Sequence, residues 1–152
     1  MPHVNVALLG HAFMGRAHSN AYRQVGPSFS PRLTPRLKGI CGTNQTETVK
    51  AARTLGWEEA STDWEPVVRR KDIDTVDVST PGDPQPPRAI AAARAGKVVF
   101  CEKPLANTVR EAEQMLAAVK KAGVIHMICH NYRRVPAVML AKHIVESGQL
   151  GE

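Results

Sequence analysis

Apolar positions along the chain follow two alternating rhythms, short continuous runs and longer stretches with helical spacing. Val4-Asn5-Val6-Ala7-Leu8-Leu9 is a run of strand length, and Met14 to Val25 places its apolar residues with a helix period. Leu37 to Cys41 reads as the next strand and Thr46 to Leu55 as the next helix. The alternation continues with a short helix over Asp63 to Arg69, a strand over Ile73 to Val78, a helix over Arg88 to Ala95 and a strand over Val98 to Cys101. Thr108 to Ala122 predicts a helix, Val124 to Cys129 a strand, and Ala137 to Ser147 a last helix. Repeated strand-helix order calls for an α/β fold, a doubly wound parallel sheet with helices on both faces.

Turn and cap residues support these boundaries. Gly96 and Gly123 stand just past two of the helices, where a left-handed cap is wanted, while Thr62-Asp63 and Asn107-Thr108 precede two others as N-caps. The proline-rich stretches Gly26 to Pro35 and Pro81 to Pro87 read as loops. Met115, Leu116 and Val119 are expected in the core, and Trp57 and Trp64 at the sheet edge.

Composition narrows the class. The 152 residues are 43% apolar and 22% charged, which suits one globular domain and excludes disorder. Lys and Arg number 20 against 14 Asp and Glu, a net charge of +6, but the basic residues are scattered and no aromatic platform accompanies them. A nucleic-acid partner is therefore not expected. No apolar run approaches the roughly 18–20 residues of a membrane span, and Met1-Pro2-His3-Val4 does not begin a secretory leader, so a soluble cytoplasmic protein is expected, without a membrane partner. Cys41, Cys101 and Cys129 form no pairing pattern and read as reduced strand-end residues.

An open α/β sheet binds ligands at the carboxyl ends of its strands. At the first end, Gly10-His11-Ala12-Phe13-Met14-Gly15 has the form G-x-A-x-x-G. There Gly10 permits the turn, Ala12 must let backbone approach a diphosphate, and Gly15 lets the helix pack close with its N-terminus toward phosphate. At the second end, Gly42-Thr43-Asn44 lacks the acid that pairs with an adenosine ribose, and Thr43, Asn44, Lys50 or Arg53 would tolerate a 2′-phosphate, so the reading leans to NADP over NAD. Cys101-Glu102-Lys103-Pro104 puts two charges directly after an apolar strand, where burial beside a cofactor would tune Lys103 for proton transfer. His126-Met127-Ile128-Cys129-His130 resembles a metal box, but on a strand Cys129 faces away from both histidines, so no metal is expected. His18 has no partner recognisable in sequence and reads as a helix-packing residue.

Val6-Ala7-Leu8-Leu9-Gly10-His11-Ala12-Phe13-Met14-Gly15-Arg16-Ala17-His18-Ser19, Cys101-Glu102-Lys103-Pro104-Leu105-Ala106 and Asn131-Tyr132-Arg133-Arg134-Val135-Pro136-Ala137 together resemble the Gfo/Idh/MocA oxidoreductase family, in particular its inositol and levoglucosan dehydrogenase branch. The resemblance implies an NAD(P)-binding Rossmann domain over residues 1–152. It also implies that a C-terminal substrate domain, which in the family forms oligomers, lies outside this chain, which therefore reads as truncated and inactive by itself. It assigns Gly10, Ala12, Phe13, Met14 and Gly15 to the cofactor's diphosphate turn, Thr43 to the adenosine ribose, and Thr80, Pro81 and Asp83 to the nicotinamide side. Glu102 would contact the nicotinamide ribose, Lys103 would be catalytic at the reacting hydroxyl, and Asn131 and Arg133 would meet a sugar or polyol substrate. A cis Lys103-Pro104 bond is also implied. Where relatives commonly read Thr-Pro-Asn-Asp-x-His, this chain has Thr80-Pro81-Gly82-Asp83-Pro84-Gln85, which weakens the expected contacts there.

The implied activity is hydride transfer between a nicotinamide cofactor and a ring secondary alcohol of a sugar or cyclitol. The alternative is a non-catalytic dinucleotide-binding regulatory module on the same fold, and a methyltransferase stands third because it would want an acid at Thr43.

Overall fold

In the computed structural model, which describes residues 2–151, six parallel strands form one sheet. The strands are β1 (His3–Leu9), β2 (Thr34–Cys41), β3 (Glu59–Ser61), β4 (Thr75–Val78), β5 (Val98–Glu102) and β6 (His126–Cys129). The helices are α1 (Phe13–Phe29), α2 (Gln45–Leu55), α3 (Trp64–Arg69), α4 (Gln85–Arg94), α5 (Val109–Ala122) and α6 (Pro136–Glu146), with a 3₁₀ turn at Asn131–Arg134. Spatial order is β3-β2-β1-β4-β5-β6, so the chain reverses direction across the sheet between β1 and β4. That reversal opens a crevice above the two strands, the usual ligand position in this architecture.

Two apolar layers flank the sheet. Ala7, Leu9, Val76, Val78 and Val99 pack with Ala89, Ala92, Met115 and Val119 of α4 and α5 on one face. Val6, Leu8 and Ile40 pack with Ala52 and Trp57 on the other, against α1 and α2. Near-continuous apolar runs are what a parallel sheet covered on both faces requires. Leu116 departs from the expected core, being 45% exposed: it follows Met115 by one residue and so turns about 100° off the buried stripe. Trp57 is fully enclosed, not at an edge, because its indole Nε1–H reaches Ser19 Oγ at 2.9 Å.

The two proline-rich stretches are shorter loops than their composition predicts. Helix α1 runs through Pro27 to Phe29 and closes at Ser30, whose φ is 45°. Pro27 is exposed, so the carbonyl deprived of its helical partner meets water. Pro35 lies in β2, on the stretch that pairs with β1 alone, since β3 pairs only with Gly39, Ile40 and Cys41. Proline is tolerated where one side of a strand needs no donor. Pro86 and Pro87 occupy the first turn of α4, where a missing N–H costs nothing. Strand β3, three residues long, is too short to form an apolar run in the sequence; it is an edge strand held by backbone pairing with β2.

The expected caps form. Asp63 caps α3, Thr108 and Glu111 make a reciprocal capping box on α5, and Gly123 takes φ 64° after α5. The tightest junction is between β1 and α1. Gly10 has φ +102°, and a Cβ at Gly15 would collide with the Gly10 carbonyl oxygen. We expect Gly15→Ala to cost about 1–3 kcal/mol through overpacking, read as a lower thermal midpoint by circular dichroism; an unchanged midpoint would show that the junction yields freely.

Candidate functional site

The strand register builds one rim. Leu9 pairs with both Cys41 and Val78, Val78 with Cys101, and Glu102 with Cys129. The residues that follow, from Gly10, Gly42, Ser79, Lys103 and His130, therefore emerge side by side at the same edge. Gly10 N–H is tied across the rim to Cys41 carbonyl at 2.8 Å, and Ser79 N–H to Leu9 carbonyl at 2.9 Å.

Ala12 is the N-cap residue of α1 and contributes no side-chain cap, and the first turn contains no acid. By contrast α2, α3 and α5 are closed by Asn44, Asp63 and Thr108. The first N–H groups of α1 thus lack a side-chain acceptor, and their partial positive charge suits an anion. Ala12 and Phe13 are exposed there, Phe13 at 81%. Met14 is turned instead toward the sheet face beneath α1, leaving only its backbone for the turn. Gly15 is buried against β1.

Thr43 is exposed at the end of β2, but Asn44 is committed: its side-chain oxygen accepts the Glu47 N–H at 3.0 Å as the cap of α2. Arg53 lies in the last turn of α2, eight residues past Gln45 and so about 12 Å farther along the axis. Asn44 is thus partly spent on the cap, and Arg53 stands back from the strand end.

After β4, Thr80 has its hydroxyl oxygen buried without a partner among the described residues. Pro81 is exposed, and Asp83 is held by the side-chain amide of Asn107. Gln85, in place of the histidine common in relatives, is 1% exposed and donates to the Thr80 carbonyl at 2.6 Å. This hydrogen bond tethers the loop after β4. An orphaned hydroxyl at Thr80, a glycine cradle at Gly10 and Gly15, and an uncapped helix end form a set that fits a dinucleotide.

Beyond β5 the two charges separate. Lys103 is exposed at the rim and its bond to Pro104 is cis, whereas Glu102 is 3% exposed and turned inward. The burial expected around Lys103 is therefore found at its neighbour. One Glu102 oxygen lies 2.9 Å from His18 Nε2, and the other accepts the Lys103 backbone N–H at 3.0 Å. His18 Nδ1 lies 2.8 Å from Asp77 Oδ2, which also accepts the Tyr22 hydroxyl at 2.7 Å. His18 is 8% exposed and Asp77 fully buried. Burial opposes charge on His18, but the hydrogen bonds and charges of Asp77 and Glu102 outweigh it, and the pKa rises above the usual histidine value. Burial also drives the Cys129 thiol up to about 12 and the Tyr22 phenol upward.

Sequence reasoning missed this cluster. Its members lie on four elements, and the only local signal is the spacing of His18 and Tyr22, four residues apart on one face of α1. His18, Glu102 and Cys129 also present three donor atoms within 4.8 Å of one another, yet His18 Nε2 is already engaged by Glu102. His126 and His130 do not join them; His126 is exposed and hydrogen-bonded to the Val124 carbonyl, and His130 lies past the end of β6.

Asn131 and Arg133 are exposed on the 3₁₀ turn after β6, and the following α6 leaves Val138, Met139 and Leu140 44–59% exposed. A groove of about 810 Å³ runs along the α1 face of the sheet, lined by Val4, Tyr22, Phe100, Ile125 and Met127 among others. No helix among the described residues is long and apolar enough to cross a membrane, and the three cysteines are free.

Comparison with known proteins places this arrangement. Residues 4–130 match the sequence model of an oxidoreductase family described as having an NAD-binding Rossmann fold. The levoglucosan dehydrogenase of Pseudarthrobacter phenanthrenivorans is 44% identical over 99% of this chain and 39% of its own length. The scyllo-inositol 2-dehydrogenase (NAD(+)) of Bacillus subtilis is 35% identical over 68% of this chain and 30% of its own. A solved levoglucosan dehydrogenase, in complex with NADH and L-sorbose, superimposes with a TM-score of 0.95 at 44% identity, covering 100% of this chain and 41% of that one. The chain thus spans about two fifths of the length of such relatives. With the glycine turn, the six-stranded order and the family match over the same residues, the chain belongs to the Gfo/Idh/MocA oxidoreductase family and carries its NAD-binding Rossmann fold.

Proposed function

We propose that this chain is the NAD(H)-binding part of a dehydrogenase acting on a ring secondary alcohol of a sugar or cyclitol. The observation that carries the reading is the single rim on which the uncapped Gly10–Gly15 turn and Lys103 stand together. The solved relative's complex with NADH and L-sorbose, and the levoglucosan and inositol specificities named for other relatives, point to the substrate class.

The residues take the following parts. Backbone N–H groups at Ala12 to Gly15 hold the diphosphate, with glycine at 10 and 15 admitting close approach. Thr43 meets the adenosine ribose, and Thr80, Pro81 and Asp83 form the wall beside the nicotinamide. When bound, the nicotinamide supplies the hydride acceptor or donor. Lys103 donates a hydrogen bond to the substrate oxygen, stabilising negative charge as the hydroxyl proton leaves. Asn131 and Arg133 orient the sugar at the mouth. Glu102, expected to contact the nicotinamide ribose, is 3% exposed with its oxygens on His18 and the Lys103 N–H, so it sets the backbone from which Lys103 extends instead. Three unpaired cysteines accord with a reducing compartment such as the cytoplasm.

Fluorescence titration of this chain should show saturable NADH binding, tighter than NADPH binding, as the NADH complexes of the solved relatives suggest and against the lean to NADP. Failure of a folded chain to bind either nucleotide would defeat the reading. In a full-length enzyme that contains these residues, Lys103→Ala should lower kcat at least about 100-fold on sugar or cyclitol oxidation. Unchanged turnover would remove Lys103 from the chemistry, and NADH binding with no oxidation of any such alcohol would return the non-catalytic reading.

A further inference from the structure

His18 sits between two carboxylates with both ring nitrogens at hydrogen-bond distance, 2.8 Å to Asp77 and 2.9 Å to Glu102. An ionised carboxylate only accepts, so two ionised partners require two N–H donors, which only an imidazolium offers. The far oxygen of Glu102 then holds the Lys103 amide, and Asp77 is itself steadied by the Tyr22 hydroxyl. These contacts form a chain from the middle of α1, through the interior, to the backbone of the rim lysine.

We propose that His18 is a positioning residue: as an imidazolium clamped between Asp77 and Glu102, it fixes the Glu102 carboxylate and through it the backbone that presents Lys103 to the cofactor and substrate. The part concerning cofactor and substrate rests on the function proposed above; the clamp itself does not. The apolar environment sharpens the effect, because Phe100 lies against the imidazole with ring centroids 5.4 Å apart and water has little access. A charge-assisted bond in such surroundings is stronger and more directional than one at the surface.

The clamp is pH-dependent with a definite sign. A histidine whose folded pKa is raised contributes stability that is complete below its ordinary value near 6.5 and lost as pH rises through the folded value. The groups facing the imidazole are Asp77 on β4, Glu102 on β5, Cys129 on β6 with its Sγ 3.8 Å away, and Tyr22 on α1, in contact through Asp77. Burial raises the thiol to about 12 and the phenol upward, so neither of these gains charge as pH first rises above 6.5. Loss of the clamp as pH rises through the raised value belongs to His18.

Two substitutions separate positioning from packing, because the amide of His18→Gln falls near the Nε2 position and that of His18→Asn near Nδ1. The Gln variant keeps a donor toward Glu102, and the Asn variant keeps one toward Asp77 only. We expect amide exchange at Lys103 to accelerate in His18→Asn and stay near wild type in His18→Gln, while amides of β1 remain protected in both. NADH affinity should follow the same order, about tenfold weaker or more for Asn, as loss of one charge-assisted bond implies. Equal exchange at Lys103 in the two variants, with affinity tracking thermal stability alone, would overturn the proposal. Nitrogen-15 NMR of the wild-type imidazole gives an arm that needs no folded variant. Both ring nitrogens should be protonated at pH 7, and a neutral ring would overturn the clamp. A wild-type chain with a protonated ring and a protected Lys103 amide but no NADH binding would instead overturn the proposed function and leave the clamp standing.

Discussion

Close approach between α1 and the sheet is the constraint from which the rest follows. Gly15 lies against the Gly10 carbonyl with no room for a Cβ, and this draws the helix down until the residues three, four and seven positions later also meet the sheet. Those residues are His18, Ser19 and Tyr22. Ser19 donates to the Gly15 carbonyl and accepts the Trp57 indole N–H, which anchors the α2–β3 connection. Tyr22 meets Trp57 edge-on at 6.4 Å and donates to Asp77. One glycine therefore sets both the Gly10–Gly15 turn above and the polar cluster beneath.

Placing Asp77, Glu102 and His18 in the interior carries a desolvation cost, and replacing such groups with apolar residues often leaves a protein as stable or more so. Their presence makes sense as geometry. Strand β5 ends at Glu102, and beyond it the chain turns through Lys103 and a cis peptide to Pro104. A buried carboxylate with one oxygen on an imidazole and one on the next backbone N–H restrains that turn more tightly than dispersion contacts would. The surface ion pairs, such as Arg70 with Glu59 and Asp72, serve a lesser end, since exposed pairs contribute little and are screened by salt.

The two faces of the sheet are finished differently. Helices α4 and α5 cover β4 and β5 on one side, whereas beside α1 the groove leaves Ile125 and Met127 more than half exposed. Helix α6 likewise exposes its apolar side chains. The groove reaches the strand ends, because Cys129 and Asn131 line it together with His18.

The chain's own pattern determined the alternation of strands and helices, the parallel sheet, the glycine turn and the Glu102-Lys103 pair, because periodicity, caps and phosphate turns are local and each is written within about ten residues. The end of α1 and the starts of β2 and α4 depart from the sequence pattern because proline is excluded only where a backbone donor is needed, and whether one is needed at Pro27, Pro35 and Pro86 depends on neighbours. Strand β3 is too short to show a rhythm and exists through pairing with β2. That Asn44 would be spent on a helix cap, and Gln85 on the Thr80 carbonyl, likewise depended on folded geometry. Above all, the tertiary structure decided which way Glu102 faces and gave His18 its partners. Residues 18, 77 and 102 are remote along the chain, and only the stacking of α1 over adjacent strands β4 and β5 brings a helix imidazole between two strand carboxylates.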